Sequence, residues 1–118
     1  MTTTTQASTT AAPGTPLDKI ETIKRIVAAD FGVMVWEIDS PARTVPLPQV
    51  RHVAMFLTRR LVPHEDASFP EIARAFNRIN HNSVVHGIEA TATRMETSRA
   101  FRARVERLEA EAKAALSP

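Results

Sequence analysis

The segment Asn80-His81-Asn82-Ser83-Val84-Val85-His86-Gly87-Ile88 follows Pro70-Glu71-Ile72-Ala73-Arg74-Ala75-Phe76 after a short turn. The pair reads as helix, tight turn, helix, with hydrogen-bonding side chains crowded onto the first turn of the second helix. A helix-turn-helix presents such residues to the edges of DNA bases. The apolar residues of the second helix, Val84, Val85, Ile88, Ala92 and Met95, recur at the spacing of one buried face. That leaves Asn80, Asn82, Ser83, His86 and Gly87 toward its outer face. Readout of base edges and phosphates is one use for them, with helix N-terminal amides adding phosphate contacts. A plain helix cap at Asn80, with Asn82 and Ser83 solvated, is the other. The residues alone leave the two readings level.

Working outward, Ser68 and Glu71 form a Ser-x-x-Glu capping box for the preceding short helix, which turns Ile72, Ala73 and Phe76 inward. Asn77-Arg78-Ile79-Asn80 is the turn, and the helix that follows is capped by Asn80 or its neighbour and runs to about Thr97. Upstream, Thr15 caps a first helix with Pro16 at its start. Ile20, Ile23, Val27 and Phe31 line its core face, and Gly32 ends it. A single helical turn at Val35–Asp39 is expected to pin Val35, Trp36 and Ile38 to the core. A loop bracketed by Pro41 and Pro46 leads to a helix over Leu47–Val62 with Val50, Val53, Ala54, Leu57 and Leu61 apolar, stopped by Pro63. Ser98 caps a last helix carrying Phe101, Val105, Leu108 and Ala112. No useful period-two run survives, so the fold class is all-α: a compact helical domain with a helix-turn-helix.

The chain of 118 residues supports one domain. Met1 to Pro16 holds almost only Thr, Ala, Ser, Gln, Gly and Pro and is read as a flexible tail, with the domain over 17–118. It lacks the basic start and apolar run of a signal peptide, and no apolar stretch approaches a membrane span of about 20 residues. Cysteine is absent, which removes disulfides and thiol chemistry and fits a cytoplasmic protein. The formal net charge is only +2, yet Pro41 to Val62 carries Arg43, Arg51, Arg59, Arg60 and His52 with no acid. Such a patch suits a polyanion or a solvated helix face.

Other chemistries find little support. His81 and His86 are five apart and do not share a helix face as a zinc pair would, so no metal is expected. Ser83 and His86 lack the orienting acid and oxyanion hole of a hydrolase. Neither Gly-x-x-x-x-Gly-Lys nor Gly-x-Gly-x-x-Gly occurs. No enzyme activity, cofactor or nucleotide is expected.

Residues 20–116 resemble the C-terminal DNA-binding domain of the bacterial replication initiator DnaA, a helical domain of Trp-repressor type. In that family an Arg-Pro-Arg-Gln-Met-Ala-Met-Ala-Leu-type opening is followed by Leu-Pro-Glu-Ile-Gly-x-x-Phe-Gly-Gly-Arg-Asp-His-Thr-Thr-Val-Leu-His-Ala. Here the matching stretches are Gln49-Val50-Arg51-His52-Val53-Ala54-Met55-Phe56-Leu57 and Phe69-Pro70-Glu71-Ile72 through His81-Asn82-Ser83-Val84-Val85-His86-Gly87. The resemblance implies insertion of the helix from Asn80 into the major groove of double-stranded DNA. Asn80, His81, Asn82 and Ser83 would contact bases, and His86 would lie near the backbone. It also implies Arg43 in the minor groove, Arg51 and Arg59 on a phosphate-contacting helix, and Pro70 near the backbone. Arg78, in the turn, is a further candidate phosphate donor. The family's Asp-His-Thr-Thr reads Asn80-His81-Asn82-Ser83 here, its basic loop keeps one arginine, and a short insertion adds Glu65 and Asp66. The expected function is sequence-specific duplex binding in the regulation of replication initiation or transcription. The alternative is a protein-interaction module, possible as a homodimer, that kept the fold and lost its affinity for DNA.

Overall fold

Thr15 opens the first helix as its spacing predicts: its Oγ1 accepts from the Asp18 N–H at 3.2 Å, and Pro16 occupies the first turn. The computed structural model describes residues 14–117; Met1–Pro13 of the expected tail lie outside them, as does Pro118. Helix α1 spans Pro16–Phe31, α2 Val35–Asp39, α3 Leu47–Leu61, α4 Phe69–Ala75, α5 Asn82–Thr97 and α6 Arg99–Leu116. No strand occurs among the described residues. Gly32 ends α1 in the left-handed region (φ +72°) that only glycine adopts without strain. Ser68 and Glu71 close the expected capping box on α4, with the Ser68 N–H donating to Glu71 Oε1 at 2.8 Å.

Helix α3 is the central element. Val50, Val53, Ala54, Met55 and Leu57 are buried between α1 and α6 on one side and α5 on the other. Val62, one residue past its end, closes this core, whereas Leu61 stays half-buried. Phe101, Val105, Leu108 and Ala112 seat α6 at their helical spacing.

Two expectations about core faces fail. Trp36 is 66% exposed, because α2 is a single turn that buries Ile38 and packs Val35 at the core's edge, with the intervening position facing out. Gly87, expected outward, is buried against α3, where a Cβ would stand 2.9 Å from His52 Cδ2 and 3.0 Å from Met55 Sδ. α5 therefore lies on α3 through Val84, Gly87 and Thr91, Ile88, Ala92 and Met95 pack only around the edge of the core, and Val85 is half-buried outside it.

Charged side chains hold the helices in register. Lys24 is buried, yet its Nζ meets Asp39 Oδ1 at 2.8 Å and Glu21 Oε2 at 2.9 Å, donates to the Ala75 carbonyl, and lies over the Phe76 ring. One cation thus joins α1, α2 and α4. Asp30, near the end of α1, receives Arg104 Nε at 2.6 Å and Arg107 Nη2 at 2.8 Å, which ties α6 across it. Burial acts to raise the Asp30 pKa, but the bonds from Arg107 and Arg104 and their charges outweigh it and hold the carboxyl below its ordinary value.

Candidate nucleic-acid interface

The turn between α4 and α5 is shaped by backbone that most side chains avoid. Asn77 takes a left-handed φ of +58°, a conformation asparagine tolerates better than most residues. Its Nδ2 donates to the Asp39 carbonyl at 3.2 Å. Asn80 then performs the capping: its Oδ1 accepts from the Asn82 N–H at 2.8 Å, and regular helix begins at Asn82. His81 stands at the boundary with helical backbone angles. Asn80, His81 and Asn82 are all exposed, with Ser83 half-buried beside them. Ile79, preceding them, is fully exposed.

The arginines divide sharply. Arg51 is only 6% exposed; Nε donates to the Ile38 carbonyl at 2.7 Å, and Nη2 donates to those of Ser40 at 2.9 Å and Ala42 at 3.1 Å. Arg78 donates to the Phe76 carbonyl at 3.1 Å, to that of Ile38 at 3.4 Å, and to Ser40. The physical reason is α2. A helix this short leaves its last carbonyls without intrahelical donors, and two guanidiniums and the Asn77 amide supply them. Arg51, expected on a phosphate-contacting helix, does lie on α3, but its guanidinium points inward and holds the Ser40–Ala42 loop. Burial is the main influence lowering its pKa, followed by the neighbouring charge of Arg78, but the group remains charged.

Arg43 is exposed on that loop. With Pro48, Arg51, His52, Met55, Arg78, Ser83 and His86 it lines a recess of about 390 Å³ in which no acid takes part. His52, which the sequence reading did not single out beyond its place in the basic run, faces His86 edge-on with ring centroids 5.7 Å apart. Burial is the first cause, and the charges of His86, Arg51 and Arg78 the next, that hold the His52 imidazole below the usual histidine value. The structure thus gathers Arg43, Arg51, Arg78, Ser83 and His86 around one recess, beside the exposed start of α5. Arg59 and Pro70 stand apart from it. Arg59 donates to the Val62 carbonyl at 2.8 Å and lies over the Phe69 ring, one residue from the exposed Pro70.

Among the described residues no group of three His, Asp or Glu is arranged to hold a metal ion, and no helix is long and apolar enough to cross a membrane. Residues 20–90 match the family described as the bacterial dnaA protein helix-turn-helix. The chain belongs to that family. It is 36% identical over 86 residues to the chromosomal replication initiator protein DnaA of Oenococcus oeni, covering 73% of this chain and 18% of that protein. The same protein of Rhizobium johnstonii is 40% identical over 70 residues, 59% of this chain and 14% of its own length. A crystal structure of a DNA replication initiation factor superposes with a TM-score of 0.75 at 33% identity, over 86% of this chain and 30% of that one. The replication initiator DnaA bound to AMPPCP and single-stranded DNA follows at 0.72, with the same identity and coverage. The chain therefore spans under a fifth of the length of these two curated relatives.

Proposed function

We propose that this domain binds double-stranded DNA sequence-specifically, with the start of α5 in the major groove and the Arg43 loop against the neighbouring minor groove. The observation that carries this reading is the exposed polar row Asn80, His81 and Asn82 beside a recess lined by three arginines and no acid. Major-groove edges require donors and acceptors at one helix end, and the flanking phosphates require cations nearby. Asn82 can bond adenine through two hydrogen bonds, and the exposed Ile79 suits a thymine methyl. Asn80 Oδ1 already accepts from the Asn82 N–H, which leaves one lone pair and both Nδ2 hydrogens for DNA. Arg43 and His86 contact phosphate or groove directly, Arg51 and Arg78 hold the loop that carries Arg43, and Arg59 from the end of α3 and Pro70 from the start of α4 approach the backbone. Site occupancy at origin-like boxes or promoters is the mode of action, without catalysis by this domain.

Selection from random duplexes, followed by anisotropy titrations against selected, scrambled and single-stranded probes, tests the reading. A defined motif is expected, with Asn82→Ala relaxing preference at one position by a discrimination of about 1–3 kcal/mol. The exposed apolar side chains Met34, Trp36 and Val45 favour a second reading, a protein-interaction module. Folded protein that binds no duplex at low salt would establish that second reading over the first.

A further inference from the structure

The recess beside α5 contains a feature that base readout does not use. His52 and His86 meet edge to face, one from α3 and one from α5, with no acid between them. Neither imidazole nitrogen has a hydrogen-bond partner among the described residues. The cations around them are Arg51 on α3, Arg43 on the loop and Arg78 in the turn. On its other side His52 borders a second hollow with Gln49, Ala90, Thr91, Arg94 and Phe101, so α5 adds Arg94 there and α6 adds only an aromatic ring. Asp39, the carboxylate whose charge acts on Arg51 and Arg78, is already bonded to Lys24.

We propose that His52 and His86 form a proton-linked seat for one phosphate of the bound duplex, so that DNA binding takes up a proton at His52. This rests on the duplex-binding reading above and deepens it. An imidazole walled in by guanidiniums is harder to protonate than a free one, because a further positive charge there meets repulsion and partial burial. A phosphate reverses that balance: it turns the surrounding charge from a cost into a shared attraction, and the protonated ring gains a charge-assisted donor. Arg51 and Arg78 have most of their N–H groups committed to carbonyls. Fresh hydrogen-bonding capacity in the recess therefore lies with the two histidines, Ser83 and Arg43.

Gly87 supports the placement. It lets α5 approach closely enough that His52 Cδ2 would lie 2.9 Å from a Cβ at that position.

The test measures the affinity of the full chain for a labelled mixed-sequence duplex two helical turns long, at fixed ionic strength. The pH is stepped from about 8 to about 6, around the histidine range. Uptake of one proton makes affinity rise about tenfold per pH unit between the free and bound values of the group. The wild type is expected to approach that slope and His52→Gln, which keeps a donor, to lose most of it. The slope rather than the affinity is the readout, so weaker binding by the variant does not blur the result. Circular dichroism at each pH confirms that both proteins are folded. Calorimetry in two buffers of different ionisation enthalpy counts the proton independently. A flat wild-type profile, or an equal slope in His52→Gln, overturns the proton link while leaving duplex binding intact. Absence of binding at every pH overturns the duplex-binding reading and the seat with it.

Discussion

Arg51 shows how a single residue's role depends on what lies across from it. In the chain it reads as one more cation in a basic run, but in the fold it is a strut whose donors end the α2 turn and fix the loop bearing Arg43. Arg51→Ala removes a buried charged donor, strips the Ala42 carbonyl of its partner and leaves those of Ile38 and Ser40 to Arg78, a loss of roughly 2–4 kcal/mol. The melting temperature is expected to fall along with duplex affinity, and Arg51→Lys to recover only part of either, since an ammonium cannot copy the guanidinium fork. A variant that loses DNA affinity with unchanged thermal stability would show that Arg51 acts on phosphate directly.

At the scale of elements, two contacts decide how the helices sit. Gly87→Ala exchanges a gain in helix propensity of about 1 kcal/mol for a clash with the His52 ring and buried Met55, typically 1–3 kcal/mol. A net destabilisation of roughly 1 kcal/mol is expected in denaturant unfolding, with α5 displaced from α3; a more stable variant would mean the two helices give way easily. Asp30 is the corresponding link between α1 and α6. Its carboxyl is held below the ordinary range, so its contribution is full above about pH 4 and is lost as pH falls through the depressed folded value. Asp30→Asn should cost roughly 1–2 kcal/mol near neutral pH. The gap between variant and wild type should close in acid, and melting curves across that range would reveal whether it does.

For the molecule as a whole, the inward turn of Arg51 and Arg78 limits how many phosphates the surface can neutralise. Arg43, a protonated histidine in the recess and one partly engaged arginine amount to about three, which implies a log–log salt slope of roughly −2 to −3. Titrations at several salt concentrations measure it. A slope near zero would remove the electrostatic basis of duplex binding, and one much steeper would mean that Arg51 and Arg78 swing out of their carbonyl contacts when DNA binds.

The order of helices, their caps and most of the inward faces were legible in the chain, because they depend on residues three or four apart. Thr15, Gly32, Ser68 with Glu71, and Ser98 each meet partners within a single turn. The helix-turn-helix and the family motif were legible for the same local reason. What only the tertiary structure decided is where the charges go. Lys24 is buried by an acid and a carbonyl from two other elements, Arg51 and Arg78 are drawn inward by the open carbonyl end of α2, and His52 is set against His86 by the close approach of α3 and α5 at Gly87. Burial and pairing of a charge depend on groups distant in sequence, and helical periodicity records nothing of them.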